Sequence, residues 1–436
     1  MGATTGDAMM INAEPYWWED APLTTLPQVP VPKSCDFVVV GAGYTGLSAA
    51  LTLARAGRSV QVFDRQKPGE GASTRNGGMA SGSLRPGLAE LTAKHGAERG
   101  RGILAEAKLA REDLARLIRD EGIDCDFQMT GRFTGAADRA AYERLGREAD
   151  MLKREFDIDA HAVPRAEQKD VLGTDLYHGG LLRTDIGGLH PAKFHRGLMQ
   201  AALKAGVVIH GETGVTGHQR QGDGYVVTTA RGAITARGLM MATNGYTDGV
   251  DKWLRRRLVP VRSRIIATAP LSGNLMKQLM PKGVMAGDTR RMLYYYRPSP
   301  DGTRILYGGR DGNVAGEGNG ATRLLKRGLV EVFPILSDVE LTHSWYGFVA
   351  MNRDMFPRIF TRNGTGYAVG YCGSGVVWAP WAGKMAALQM IDADAGRSAL
   401  DFRPPAAIPM YNGTPWFMPG VFAWMRIRDR LDRLGR

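Results

Sequence analysis

The residues with the clearest chemical use stand early in the chain. Gly41, Gly43 and Gly46 occur at GxGxxG spacing, and Asp64 follows roughly 20 residues on. Gly41 permits a tight turn, Gly43 lets the backbone approach a pyrophosphate, and Gly46 lets a helix pack closely on a strand. A helix beginning here aims unpaired N–H groups and the positive end of its dipole at phosphate. A carboxylate at the position of Asp64 accepts hydrogen bonds from ribose hydroxyls. These residue types at this spacing are suited to binding a dinucleotide. The elements that must position them are also present. Asp36–Val40 is a run dominated by apolar residues, as in a buried parallel strand. Leu47–Ala56 is rich in helix formers and Gly57 stops it. Ser59–Phe63 is a second buried strand that ends at Asp64.

Two further glycine-rich stretches narrow the dinucleotide. Gly71-Ala72-Ser73-Thr74-Arg75-Asn76-Gly77-Gly78 combines small residues with one cation and one amide. A nicotinamide dehydrogenase has no evident use for such a loop, whereas a flavoenzyme needs backbone to run along a ribityl chain and ring edge. Gly370-Tyr371-Cys372-Gly373-Ser374-Gly375 lies between a strand and the helix expected over Val376–Ile391. That helix N-terminus would stabilise charge that develops on a flavin when it is reduced. In these stretches the chain resembles the D-amino-acid-oxidase-like FAD oxidoreductases of glutathione-reductase fold. It is nearest the γ-glutamylputrescine oxidoreductase branch, which carries GAS-x-RNGG after the second strand. Glycine and sarcosine oxidases are more distant. The resemblance runs from near Pro15 to near Leu400.

The resemblance implies an α/β fold: a Rossmann-like FAD-binding domain with a second α+β substrate domain built on an antiparallel sheet. The expected divisions are an N-terminal arm (1–32), a discontinuous FAD-binding domain (33–82, 170–247 and 345–400), a substrate domain (83–169 and 248–344) and a C-terminal extension (401–436). FAD contacts are expected from Gly41, Gly43, Thr45, Gly46, Asp64 and Arg65, then from Gly71, Ala72, Ser73, Arg75, Asn76, Gly77 and Gly78. Further contacts are expected from Val215, Thr243, Asn244 and Gly245, and from Gly370, Gly373, Ser374, Gly375 and Val376.

The activity implied is oxidation of a C–N bond in a small amine or N-substituted amino acid, with hydride transfer to flavin N5. The imine formed then hydrolyses. The nitrogen must be neutral, which an apolar or aromatic pocket favours by desolvation. Tyr294, Tyr295 and Tyr296 share a strand, so alternate members face opposite ways; Trp345 and Tyr346 lie on a strand returning to the cofactor domain. Met79, Tyr294, Arg297, Trp345 and Arg353 are the expected substrate contacts, the two arginines as carboxylate partners. Arg353 stands where the family runs into its D-x-x-P turn (Asp354, Pro357). Arg75, Tyr296, His343 and Tyr346 are the catalytic candidates. His190 is a weaker one, since a lone histidine is more often structural. Sarcosine-oxidase relatives attach FAD through a cysteine near Trp345–Asp354; none stands there, so FAD is expected to be non-covalent. The lysine those oxidases place near the flavin is absent from Met292–Arg297. Oxygen is the expected acceptor, and a dehydrogenase passing electrons to a quinone or carrier is the alternative.

Composition agrees with two soluble domains: 436 residues, 44% hydrophobic and 23% charged. The formal net charge of +12 raises a tRNA-modifying flavoprotein as a reading from another class. Basic residues are nevertheless spread along the chain. Only Arg255–Arg257 and Arg426–Arg436 concentrate them, so no nucleic-acid partner is expected. Cys35, Cys125 and Cys372 are far apart, which favours a reducing compartment and neither a disulfide framework nor a metal site. No signal peptide or membrane-spanning run is visible, and a cytoplasmic protein is expected. Tyr16-Trp17-Trp18 requires burial and is expected to dock on the protein's own body. Trp416–Arg436 is read as a helix packed on the body, with peripheral membrane contact as the other reading.

Overall fold

A computed structural model describes residues 11–311 and 319–434. The first ten residues of the expected arm and the last two of the C-terminal stretch lie outside the described residues.

The chain builds two large sheets. In the first, Ser34–Val40 pairs in parallel with Val60–Phe63 on one side and Gly232–Met241 on the other. Val208–His210 and Thr365–Val369 extend the parallel set, and Arg358–Arg362 closes it antiparallel. Val38 and Val39 are fully buried although they face opposite sides, as expected of a sheet covered on both faces. Helix Tyr44–Arg55 lies on this sheet through Leu47, Ala50 and Leu53. Its close approach needs glycine at one position: a Cβ on Gly46 would lie 1.8 Å from the Gly41 carbonyl oxygen. The same helix packs on Gly375–Ile391, where a Cβ on Gly383 would lie 2.2 Å from the Thr45 carbonyl oxygen.

The second sheet runs, in spatial order, Leu341–Met351, Val259–Thr268, Ile305–Arg310, Tyr294–Pro298, Met285–Asp288, Arg132–Gly135, Gly180–Arg183 and Ala160–Val163. All its pairings are antiparallel except Met285–Asp288 with Arg132–Gly135. Helix Asn319–Val332 covers one face, burying Leu325, Leu329 and Val332 against Tyr296, Tyr307 and Phe333. Gly180–Arg183 and the whole of Leu341–Met351 belong to this sheet, because their ladders are made with its strands.

The arm docks on the junction of the two halves. Trp17 is fully buried and Tyr16 nearly so, packed with Ile265, Leu306 and Trp345. At the other end, helix Met418–Leu434 buries Met418 and Phe422 against Val259, Val261, Met292 and Met351. Its other side leaves Trp424, Ile427 and Leu431 exposed. Among the described residues no helix is long and apolar enough to cross a membrane.

Candidate functional site

A cavity of about 520 Å³ runs between the two sheets. One end begins where strand Ser34–Val40 meets helix Tyr44–Arg55. Gly41 adopts φ +108°, a conformation open to glycine, and Gly43 caps the helix. A Cβ on Gly43 would meet Ser73 Oγ at 2.8 Å, so the glycines keep the turn low beneath the cavity. The Tyr44 N–H donates to Ser73 Oγ at 3.0 Å. Thr45 and Gly46, next in the first turn, carry the amides that a helix start cannot satisfy internally. The Asp64 carboxylate accepts from the N–H of Ala42 at 2.7 Å and of Gln66 at 2.9 Å, which ties the glycine turn to the end of the second strand. Burial raises its pKa, against those two amides and Arg65. His195, fully enclosed below, holds the Ala42 carbonyl at 2.8 Å and is pushed down to about 4 by burial.

The middle of the wall is the loop after Asp64. Gly71, Ala72, Ser73, Arg75, Asn76 and Gly77 all line the cavity. Three indoles grip this loop from behind. Trp17 Nε1 donates to the Asn76 carbonyl at 2.8 Å, Trp18 Nε1 to Thr74 Oγ1 at 2.9 Å, and Trp345 Nε1 to the Arg75 carbonyl at 2.9 Å. The Arg75 guanidinium lies 4.7 Å from the Trp18 ring centre and donates to the Glu70 and Tyr346 carbonyls at 2.7 and 3.4 Å. Opposite stand Gly373, Ser374 and Gly375, where helix Gly375–Ile391 starts. Asn244 links the regions, its Oδ1 accepting the Gly370 N–H at 3.0 Å.

Of the expected cofactor residues, Thr45, Asp64, Arg65, Val215, Thr243, Asn244, Gly245 and Val376 also line the cavity, as does Met79. Gly46, Gly78 and Gly370 lie behind the wall. Each allows close packing instead: a Cβ on Gly78 would be 2.1 Å from the Leu189 carbonyl oxygen, and one on Gly370 would be 2.3 Å from Asn352 Nδ2. The cradle therefore fits a flavin dinucleotide at three points: glycines a Cβ would fill, open amides at a helix start, and a buried acid beside them.

The expected catalytic and substrate residues are mostly elsewhere. Tyr296 is buried in the second core, its hydroxyl 3.1 Å from that of Tyr177 and its ring stacked on Tyr307 at 5.5 Å. Tyr294 faces the same side, against Tyr307 and the Arg290 guanidinium. Strand alternation turns Tyr295 to the cavity, with its hydroxyl 3.1 Å from Ser263 Oγ. Tyr346 packs beside Arg262 and Arg264, with guanidiniums 5.2 and 5.4 Å from its ring centre. His343 is buried under the arm, 3.2 Å from Glu19, and burial lowers its pKa against the pull of Glu19. His190 caps helix Pro191–Lys204 by accepting the Lys193 N–H at 3.2 Å. Arg297 is buried and donates to the carbonyls of Gly78 and Leu189 at 3.1 and 2.9 Å. Trp345 is buried behind the loop, and Arg353 is exposed in a turn.

Residues that sequence reasoning missed hold the far wall. Arg85, Arg132 and Arg310 all line the cavity. They come from three distant segments, so no local motif joins them. Burial, with repulsion from Arg183 and Arg85 at Arg132 and from Arg85 at Arg310, pushes both down to about 10.

Comparison with known proteins agrees with this architecture. The family model for FAD-dependent oxidoreductases, DAO, matches residues 36–389. A probable oxidoreductase, OrdL, of Rhizobium meliloti strain 1021 is 31% identical, covering 95% of this chain and 97% of that protein. The γ-glutamylputrescine oxidoreductase of Escherichia coli strain K12 is 32% identical over 91% of this chain and 93% of its own length. Among solved structures, glycine oxidase from Geobacillus kaustophilus superposes with a TM-score of 0.71 at 18% identity, covering 87% of this chain and 99% of that one, which establishes a shared fold. The chain belongs to the DAO family of FAD-dependent oxidoreductases.

Proposed function

We propose that this protein oxidises a C–N bond in a small amine or N-substituted amino acid, with FAD held non-covalently and oxygen as the acceptor. The observation that carries this reading is one unbroken cavity. It leads from the glycine turn at Gly41–Gly43 to a wall of the second sheet lined by Tyr295, Val349 and Met351. Bound FAD supplies the hydride acceptor. The open amides of the first helix turn and the low glycines would receive its diphosphate, and Asp64 would orient the adjoining ribose. The start of helix Gly375–Ile391 would face the ring edge. Tyr295, Leu293, Phe348 and Met351 make that part of the wall largely apolar, and an apolar wall would lower an amine's pKa so that its nitrogen is neutral when its C–H bond breaks. Cys372 lines the cavity, but burial pushes its thiol up to about 11, and it donates to the Gly370 carbonyl at 3.1 Å. A protonated, occupied thiol supports non-covalent attachment. The name of the E. coli relative supports an amine-bearing substrate.

The test is anaerobic mixing of the purified protein with a panel of amines and N-substituted amino acids, followed by admission of oxygen. Bleaching of the flavin band by an amine and rapid recovery in oxygen are expected. Bleaching with very slow recovery would remove oxygen as the acceptor. Failure of every amine to bleach would remove the amine reading. One observation favours a second acceptor: Trp416, Trp424, Ile427 and Leu431 are 52–62% exposed around a helix that also carries Arg426 and Arg428. Such a face suits a quinone-bearing membrane surface, and recovery driven by a quinone rather than oxygen would select it.

A further inference from the structure

Many buried or half-buried arginines among the described residues are answered by an acid or by carbonyls. Arg111 and Arg183 share Asp185, Arg262 and Arg264 share Asp311, Arg290 has Asp288 and Glu331, and Arg358 has Asp354. Arg297 is spread over backbone carbonyls, and Arg75 is pinned to two more. Three arginines that face the cavity are not so answered. Arg85, Arg132 and Arg310 line it, and none has a carboxylate within ion-pair distance among the described residues. Arg132 has only a long contact, 3.4 Å, from Nη1 to Ser83 Oγ, and its Nε is buried without a partner. Arg310 has only the Met425 sulfur, 3.4 Å from Nη1. Arg85 is exposed at the cavity, yet the protein around it lowers its pKa.

Arg132 and Arg310 are half-buried, and the more exposed Arg85 repels both. Glu148 and Asp288 offset this at Arg132 only from beyond ion-pair distance, so a further anion there would be favourable. The FAD diphosphate is not that group, since its cradle is the glycine turn at Gly41–Gly46. The trio instead adjoins the second glycine-rich turn: Ser374 Oγ donates to the carbonyl of Ser83, which precedes Arg85 by two residues and receives Arg132. One of the three can answer the negative charge of a reduced flavin ring edge. Two remain for the substrate.

We propose that Arg85, Arg132 and Arg310 form an anion site that makes the preferred substrate an amine carrying two negative charges. This rests on reading the cavity as an amine-oxidising site. Guanidinium forks suit carboxylate and phosphate alike, so the shared chemistry is a dianion, as two carboxylates or one phosphoryl group. This wall thereby selects charge number rather than only size, and neutral amines and diamines are poor substrates.

The test is titration of the holoenzyme with unreactive anions, read as a shift of the flavin visible band. Glutarate is expected to bind at least about tenfold more tightly than butyrate, a step that corresponds to one further charge-assisted hydrogen bond. At least two of Arg85→Met, Arg132→Met and Arg310→Met should erase that preference, Arg132→Lys should keep at least part of it, and the surface variant Arg139→Met should keep all of it. Flavin content of each variant shows whether it folded. The wild-type comparison needs no variant. Inorganic phosphate binding more tightly than glutarate would assign the two charges to one phosphoryl group. Equal affinity for glutarate and butyrate, or a preference that survives in two or more of the methionine variants, overturns the proposal. If amines of a single charge reduce the flavin as fast as N-methylglutamate, the anion site fails and the amine reading stands. If glutarate is preferred but no amine reduces the flavin, the amine reading fails and the anion site stands.

Discussion

Replacing Trp17 tests whether the N-terminal arm holds the cofactor loop in shape. The indole is fully buried, lies 4.9 Å from the His190 ring and 6.5 Å from that of Trp345, and donates to the Asn76 carbonyl at 2.8 Å. Trp17→Ala removes the whole side chain from a site with no neighbour free to fill it, and about 3–5 kcal/mol of stability should be lost. Trp17→Phe keeps most of the packing and removes only the N–H, leaving the Asn76 carbonyl short of a donor, at about 1–2 kcal/mol. Because Asn76 lies in the loop that lines the cavity, the loss should reach the cofactor. FAD affinity should fall in both variants, and more in alanine. Denaturant unfolding of the apoprotein gives the stability change, and flavin fluorescence on binding gives the affinity. A Trp17→Ala protein that is destabilised but binds FAD as wild type does would refute the coupling. One destabilised by less than about 1 kcal/mol would refute the packing argument itself.

Three other outcomes follow from the same structure. Gly46→Ala forces a Cβ to within 1.8 Å of backbone oxygen, so it should cost about 3 kcal/mol or more and abolish flavin retention, whereas Gly217→Ala, with nothing within 4 Å, should stay within about 1 kcal/mol of wild type in thermal unfolding. Burial holds His190 and His195 down to about 4, against about 6.5 in the unfolded chain. Between those values the unfolded chain binds protons that the folded one refuses, so stability is fully present above about pH 6.5 and falls toward pH 4, by about 3 kcal/mol for each histidine; a urea midpoint that does not move across this window would contradict it. Arg297→Met strips donors from the Gly78 and Leu189 carbonyls and should weaken FAD retention while leaving the glutarate preference intact, which a direct substrate contact would not allow.

The cofactor half was legible because its demands are local. Gly41, Gly43 and Asp64 answer to one turn and two strands, and Gly71–Gly77 is a single segment whose smallness has one evident use. Burial of Tyr16-Trp17-Trp18 was equally legible from its composition. The pocket was not. Alternation separates Tyr295 from Tyr294 and Tyr296, but nothing in the strand says which face helix Asn319–Val332 will cover; it covers the side of Tyr294 and Tyr296. Arg297 resembles a ligand for carboxylate by type, yet it serves backbone carbonyls at the turn of Gly78. Arg85, Arg132 and Arg310 line one cavity only because a loop and two non-adjacent strands of the second sheet border it, a placement that spacing along the chain cannot encode.

The most direct test of the central claim is single-turnover reduction of the protein-bound flavin under anaerobic conditions. The substrate is N-methylglutamate, compared with the same compound deuterated at the carbons bonded to nitrogen. The account predicts saturable bleaching of a yellow protein that slows on deuteration, with FAD released intact on denaturation. A colourless protein that takes up no FAD, or a bound flavin that no amine bleaches, would contradict it.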